Sequence, residues 1–226
     1  VSIAKRLDLL ERSLQYDFTD KTLLMRALTH KSAHHLHNER LEFLGDSILN
    51  CIVADLLFAQ FQGATEGELT RARASLVNQA TLALIAQEMA LGDYLRLGMG
   101  EQKSGGFRRD SILADALEAI LGAIYIDKGF LMAYESVRHW YASRLATLDP
   151  DSQEKDPKTQ LQEWLQANQK PLPRYQVTAM VGEPHAQVFT VVCEIAELSL
   201  LVEGQGTSRR IAEQQAARKI LEKIKC

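Results

Sequence analysis

The stretch from Asn38 to Ser47, NERLEFLGDS, decides how the first two-thirds of this chain is read. It begins a segment, Arg40 to Phe61, whose apolar residues have helical spacing. At about 100° per residue, Glu39, Glu42 and Asp46 stand at i, i+3 and i+7 and fall within about 60° of one another. Leu41, Leu44, Ile48 and Ile52 form the apolar stripe, centred roughly 150° away. The three acids are therefore expected to face a cleft or solvent, not the core beneath their own helix. A second pair, Asp115 and Glu118 in SILADALEAILGAIY (111–125), repeats the i, i+3 spacing, with Leu113, Leu117, Ile120 and Ile124 on the opposite side. Ser111, Ala119 and Gly122 share the acids' face and are small enough to admit another helix or a substrate backbone.

If the two helices meet, up to five carboxylates converge. Two like charges about 5 Å apart repel by roughly 3 kcal/mol at an effective dielectric near 20, so such a cluster calls for a cation. An all-oxygen donor set with no well-placed histidine favours Mg²⁺, or Mn²⁺ in its place, over zinc. Mg²⁺ held by a few carboxylates suits chemistry on phosphates. For either helix taken alone, a solvated acidic face is the plain alternative.

Outward from these helices the chain divides in two. Ala4–Leu14, Lys21–Thr29, Leu69–Met89 and Leu131–Leu145 also have helical spacing, and no period-2 strand interrupts them. The run LDPDSQEKDPK (148–158) ends that pattern with two prolines and a series of acids and amides. Beyond it come a helix (157–168), three strands rich in Val, Phe and Thr (175–181, 187–194 and 198–203) and a last helix (208–223). The expected architecture is multi-domain: an all-α domain at 1–147, a linker at 148–156 and a small α+β domain of α-β-β-β-α order at 157–226.

Composition sets limits on function. The chain has 226 residues, 46% apolar and 24% charged, which describes an ordinary globular protein. No apolar run approaches the ~18 residues of a membrane span, and Val1 to Leu10 lacks a signal-peptide core. Cys51, Cys193 and Cys226 are odd in number and far apart, which suits a reduced, cytoplasmic compartment. The net charge of -3 hides local structure, because 205–226 carries six basic side chains against Glu213 and Glu222. That excess is enough for phosphate contacts, since the relevant field extends only about 8 Å at physiological salt. His34, His35 and His37 have no second ligand pair at zinc spacing, and Trp140 and Trp164 are expected to be packing residues. The Gly98–Glu101 segment is loop chemistry, and Arg108 and Arg109 could meet phosphate or serve as plain surface residues.

NERLEFLGDS, together with ALTHKS (27–32), EGELTRARASLVN (66–78) and GEQKSGGFRRDSILADALEAILGAIY (100–125), resembles the ribonuclease III family, and the likeness continues through the second domain. The resemblance implies a homodimeric endonuclease that cuts both strands of duplex RNA, leaving 5′-phosphate and 3′-hydroxyl ends with short 3′ overhangs. It also implies processing of ribosomal-RNA precursors. By motif match, Glu42, Asp46, Asp115 and Glu118 hold Mg²⁺, with Asp46 and Glu118 the catalytic pair. Glu39 and Glu66 match acids that contact RNA or stabilise the dimer, and Phe43 matches an aromatic that packs into the partner subunit.

Residues 156–225 resemble the double-stranded-RNA-binding fold, which reads two successive minor grooves and the phosphates between them. The match assigns Thr159, Gln162 and Glu163 to 2′-hydroxyls and the Gly182–His185 turn, with His185, to the next groove. Ser208, Arg209 and Arg210 open the last helix, whose free N–H groups and dipole favour phosphate. Glu213 departs from the commonest form of the motif, which has lysine there, and predicts modest affinity. Neither a membrane nor a small-molecule cofactor is implied. The competing readings are a duplex-RNA-binding regulator that does not cut and a phosphohydrolase acting on small nucleotides.

Overall fold

The computed structural model describes residues 3–149, 156–182 and 187–225. The chain divides into two compact units, Val1–Gln153 and Glu154–Cys226. Most of the expected linker, 150–155, lies outside the described residues, as does His185.

The first unit is helical: α1 (Ile3–Leu14), α2 (Lys21–Ala27), α3 (Glu39–Gln60), α4 (Glu66–Leu76), α5 (Gln79–Glu88), α6 (Met99–Lys103), α7 (Asp110–Lys128) and α8 (Phe130–Thr147). α7 is its centre, packed most extensively against α3 and also against α2, α5 and α8. From Ile112 to Ile124 every residue is buried except Asp115 and Glu118. The expected acid face is present, as Asp115 and Glu118 lie together while Leu113, Leu117, Ile120 and Ile124 are buried, and the other sides are buried too because neighbours surround the helix. At Gly122 that face admits another helix, α3, as its size allowed.

One correction concerns Leu69–Met89, expected as one helix. Asn78 splits it, its side-chain oxygen accepting the Thr81 N–H at 2.9 Å as the N-cap of α5. Both halves consist of good helix formers, so the apolar spacing runs straight across a break that one cap residue makes. α4 also starts three residues early, where Thr65 and Glu68 form a reciprocal capping box. The turn from α1 to α2 is tied to the far end of α7, since Asp127 accepts Tyr16 Oη–H at 2.7 Å and the Thr19 and Asp20 N–H groups.

The second unit has α9 (Pro157–Ala167), β1 (Arg174–Val181), β2 (Val188–Ile195), β3 (Leu200–Gly206) and α10 (Arg209–Lys225), with the strands antiparallel in the order β1-β2-β3. Leu161 and Leu165 of α9, Cys193 and Ile195 of β2, Val202 of β3 and Ala216, Ala217 and Ile220 of α10 form its core. The third strand begins two residues later than expected, after Ser199 takes a left-handed turn at φ 50. At Gly204 of β3 a Cβ would overlap the Ala212 carbonyl oxygen, so glycine lets α10 lie directly on the sheet. No helix among the described residues is long and apolar enough to cross a membrane.

Candidate active site

The acids come together through a contact between two glycines. A Cβ on Gly45 of α3 would overlap the Glu118 carbonyl oxygen, and one on Gly122 of α7 would overlap that of Leu41. The two backbones therefore touch, and Glu42, Asp46, Asp115 and Glu118 flank the touching point. The start of α3 is fixed separately. Asn38, 3% exposed, donates its N–H to the Thr29 carbonyl at 2.9 Å, and Arg26 Nε donates to the His37 carbonyl at 3.2 Å.

Glu42, Asp115 and Glu118 each bring a carboxylate oxygen into a group whose members all lie within 4.8 Å of one another. Among the described residues this is the one group of three or more His, Cys, Asp or Glu side chains arranged to hold a metal ion. Burial and the charges of Asp46, Asp115 and Glu42 push the Glu118 carboxyl up to about 8. Burial likewise raises Glu42, helped by Asp115 and Glu39, and raises Asp115 against the opposing pull of His30 and Lys31. Asp46 is exposed at the rim, where its Oδ1 accepts Asn50 Nδ2–H at 2.9 Å. Glu39 is also exposed and ion-paired with Lys31 at 2.8 Å, which lowers its carboxyl below the usual range. The five expected carboxylates thus arrange as three converging groups, a rim aspartate and a paired glutamate.

The other sites are spread more widely. Phe43, on the turn after Glu42, is 77% exposed. Glu66 is exposed, accepts Thr70 Oγ1–H at 2.8 Å and stands at a hollow of about 390 Å³ lined also by Leu57, Phe58 and Leu69. The His34 and His35 rings stack on each other at 4.1 Å, and Arg109 pairs with Glu101 at 3.1 Å. In the second unit, Thr159 and Glu163 are exposed and Gln162 half-buried, on the side of α9 away from Leu161 and Leu165. Ser208 Oγ accepts the Ile211 N–H at 3.3 Å, Arg209 bonds Glu213, and Arg210 is highly exposed.

Reading the residues alone missed His30 and Lys31, whose charges reach Asp115 from the loop after α2. The available signal was two basic side chains a few residues ahead of an acidic helix. It also missed Gly45, whose signal was a glycine between two acids on the same helix.

Comparison with known proteins agrees with this arrangement. Residues 20–145 match the family model described as "Ribonuclease-III-like", and residues 157–224 match "Double-stranded RNA binding motif". The chain is 57% identical over 218 residues to the Ribonuclease 3 of Shewanella amazonensis, covering 96% of each. It is 56% identical to that of Hahella chejuensis over 216 residues, again 96% of each. The crystal structure of the nuclease domain of ribonuclease III from Campylobacter jejuni is similar with a TM-score of 0.61 and 44% identity, over 64% of this chain and 99% of that one. An acid cluster on helices α3 and α7 that could hold a metal ion, followed by a duplex-RNA-binding motif, goes with these likenesses: the chain belongs to the ribonuclease III family of endoribonucleases.

Proposed function

We propose that this enzyme cuts both strands of duplex RNA as a homodimer, using Mg²⁺ held by Glu42, Asp115 and Glu118 with Asp46 at the rim. The observation that carries this reading is the convergence of three carboxylates within 4.8 Å, on the same chain as a duplex-RNA-binding motif. Three acids whose burial and neighbouring carboxylates drive protons onto them, with oxygen as the donor atom in each case, fit a hard divalent ion. Bound there, the ion supplies positive charge where phosphodiester hydrolysis builds negative charge, and it makes water a better nucleophile.

The chain's own residues do the rest. Glu118, the acid with the highest pKa, gives up its proton when a cation enters. Asp46, held by Asn50, orients the attacking water, so Asp46 and Glu118 form the catalytic pair. The products are 5′-phosphate and 3′-hydroxyl ends with short 3′ overhangs, and ribosomal-RNA precursors in the cytoplasm are the substrates the family likeness implies. In the second unit, Thr159, Gln162 and Glu163 meet 2′-hydroxyls, His185 enters a second groove, and Ser208, Arg209 and Arg210 meet phosphate at the α10 N-terminus. Glu39 and Glu66 line the valley or the dimer contact.

The test is a labelled duplex of about thirty base pairs, sized to exceed the ~16 base pairs one such motif spans. Discrete cuts on both strands with Mg²⁺, and a bound but intact duplex with Ca²⁺, are expected; a duplex bound and never cut under any metal would make this a binding protein. The Mg²⁺ dependence also has a sign in pH. Because the Glu118 carboxyl sits near 8, a cation must displace a proton at neutral pH. The half-saturating Mg²⁺ concentration should then fall by roughly tenfold per unit from pH 6 towards pH 8 and level off above, for one proton displaced. A flat profile over that range would remove Glu118 from the ion's shell.

The dimer reading rests on Phe43, since a phenyl ring 77% exposed on a rigid helix has solvent to leave and little to lose. A related Campylobacter jejuni nuclease-domain structure is described by its flexibility in a region involved in dimer formation. For Phe43→Ala, sedimentation should show the dimer dissociating at protein concentrations about 30-fold or more higher than the parent's, as expected of a central aromatic anchor. Each chain's helix content should stay unchanged. Unaltered dimerisation would exclude Phe43 from the interface.

A further inference from the structure

Glu213 is an acid in the most basic segment of the chain, yet it is only 8% exposed. Its Oε2 accepts Lys158 Nζ–H from α9 at 2.6 Å, and its Oε1 accepts Arg209 Nε–H from the preceding turn of α10 at 2.9 Å. The Lys158 ammonium also lies 4.7 Å from the centre of the Tyr175 ring on β1. Asp156 repeats the arrangement beside it. This residue caps α9 by accepting the Lys158 N–H at 2.9 Å, and it accepts Gln214 Nε2–H from α10 at 2.6 Å. The N-terminal turns of α9 and the first two turns of α10 are therefore cross-linked twice, each time through a carboxylate. Burial alone would raise the Glu213 carboxyl, but its two hydrogen-bonded cations outweigh burial and hold it below the usual range. It stays ionised at neutral pH.

The start of α9 carries Thr159 and Gln162, and the start of α10 carries Ser208, Arg209 and Arg210. Arg209 commits Nε to Glu213 while its side chain remains 66% exposed. An arginine already held in one rotamer loses less freedom when its remaining N–H groups meet a phosphate. We propose that Glu213 is a positioning residue for duplex RNA: anchored by Lys158 of α9, it orients Arg209, so this anion strengthens binding to a polyanion. The inference rests on the proposed contact of Arg209 with RNA. Simple repulsion between Glu213 and phosphate makes the opposite forecast, that removing the charge tightens binding.

A double-mutant cycle on the intact chain separates the two. Affinity for a duplex of about thirty base pairs, long enough for the ~16 base pairs of one motif, is measured without divalent ions so that no cutting intervenes. Glu213→Gln and Arg209→Met should each weaken binding roughly five-fold, and the double variant should be no weaker than Arg209→Met within about two-fold. The slope of log affinity against log salt should fall by about one for Arg209→Met, as expected when one fewer phosphate is neutralised. Glu213→Asp, which keeps the charge, should recover part of the affinity, and it carries the same cycle if Glu213→Gln does not fold. Binding by Glu213→Gln as tight as the parent's or tighter would overturn the inference in favour of repulsion. An undiminished cost of Glu213→Gln in the Arg209→Met background would overturn it in favour of a merely structural role. If Arg209→Met alone leaves affinity and salt slope unchanged, the RNA contact itself fails, and the positioning role falls with it.

Discussion

Glu118→Gln is expected to leave duplex RNA bound and uncut, with cleavage lowered by about 10³-fold or more, the scale on which an essential metal-holding or proton-carrying group acts. The amide keeps the size and much of the polarity of the acid but cannot supply an anionic oxygen. The position matters because Glu118 stands where burial and three other carboxylates act together, which is why its own carboxyl rises to about 8. The glutamine takes no charge into a place where burial and the charges of Asp46, Asp115 and Glu42 already oppose one, so it removes a cost that the parent meets as pH approaches 8. The fold should accordingly tolerate the change. An acid with a raised folded-state pKa opposes folding progressively as pH climbs from its unfolded value through its folded one. In the absence of divalent ions the variant should therefore melt no lower than the parent at pH 8. Labelled-duplex gels and a thermal melt settle both halves. Cleavage within tenfold of the parent would show that Glu118 does not hold the ion, and a large drop in melting temperature would show that the loss of cutting is a folding defect.

Much of this site is legible in the sequence because helical geometry is local. Glu42 and Asp46, or Asp115 and Glu118, share a face by angle alone, and a cluster of such acids implies a cation. What is not legible is how the two helices meet. The apolar stripe of α3 suggests packing through leucines and isoleucines, whereas the closest approach to α7 runs through Gly45, which leaves no mark on an apolar period. α7 shows its acid face but hides its neighbours, since a central helix buried on every other side has an apolar pattern that does not tell which helix lies against which side. Glu213 misleads by distance: its partner Lys158 is 55 residues away, so a buried, doubly paired acid reads as one more charge on a solvated helix. The modest affinity expected from Glu213 followed from its standing where the motif commonly has lysine, and the double pairing that the positioning proposal rests on leaves no mark in that comparison. The break at Asn78 belongs to another class, being local in origin but written in a single capping residue within an otherwise unbroken helical pattern.

The glycine contact yields the second large effect. Gly45→Ala adds one methyl group, a change that at an ordinary helix position would raise helix stability by about 1 kcal/mol. Here the added Cβ falls on the carbonyl of Glu118, a backbone atom of a buried helix that cannot rotate out of the way. α3 must lift off α7, opening the most extensive packing in the unit, and overpacking of this kind costs about 3 kcal/mol. For a chain of this size that corresponds to a melting temperature lower by roughly 10 °C. The displacement also separates Glu42 from Asp115 and Glu118, so Mg²⁺-dependent stabilisation and cutting should fall further than the loss of fold alone accounts for. Gly63→Ala is the control, because nothing lies within 4 Å of the Cβ it would add. Thermal melts with and without Mg²⁺ should show Gly63→Ala behaving as the parent and Gly45→Ala losing both the melting temperature and its response to the ion. If Gly45→Ala instead matches the control, the backbones of α3 and α7 do not touch, and the convergence of the acids must have another cause. If it melts low but responds fully to Mg²⁺, the glycine contact supports the fold without setting the spacing of the carboxylates.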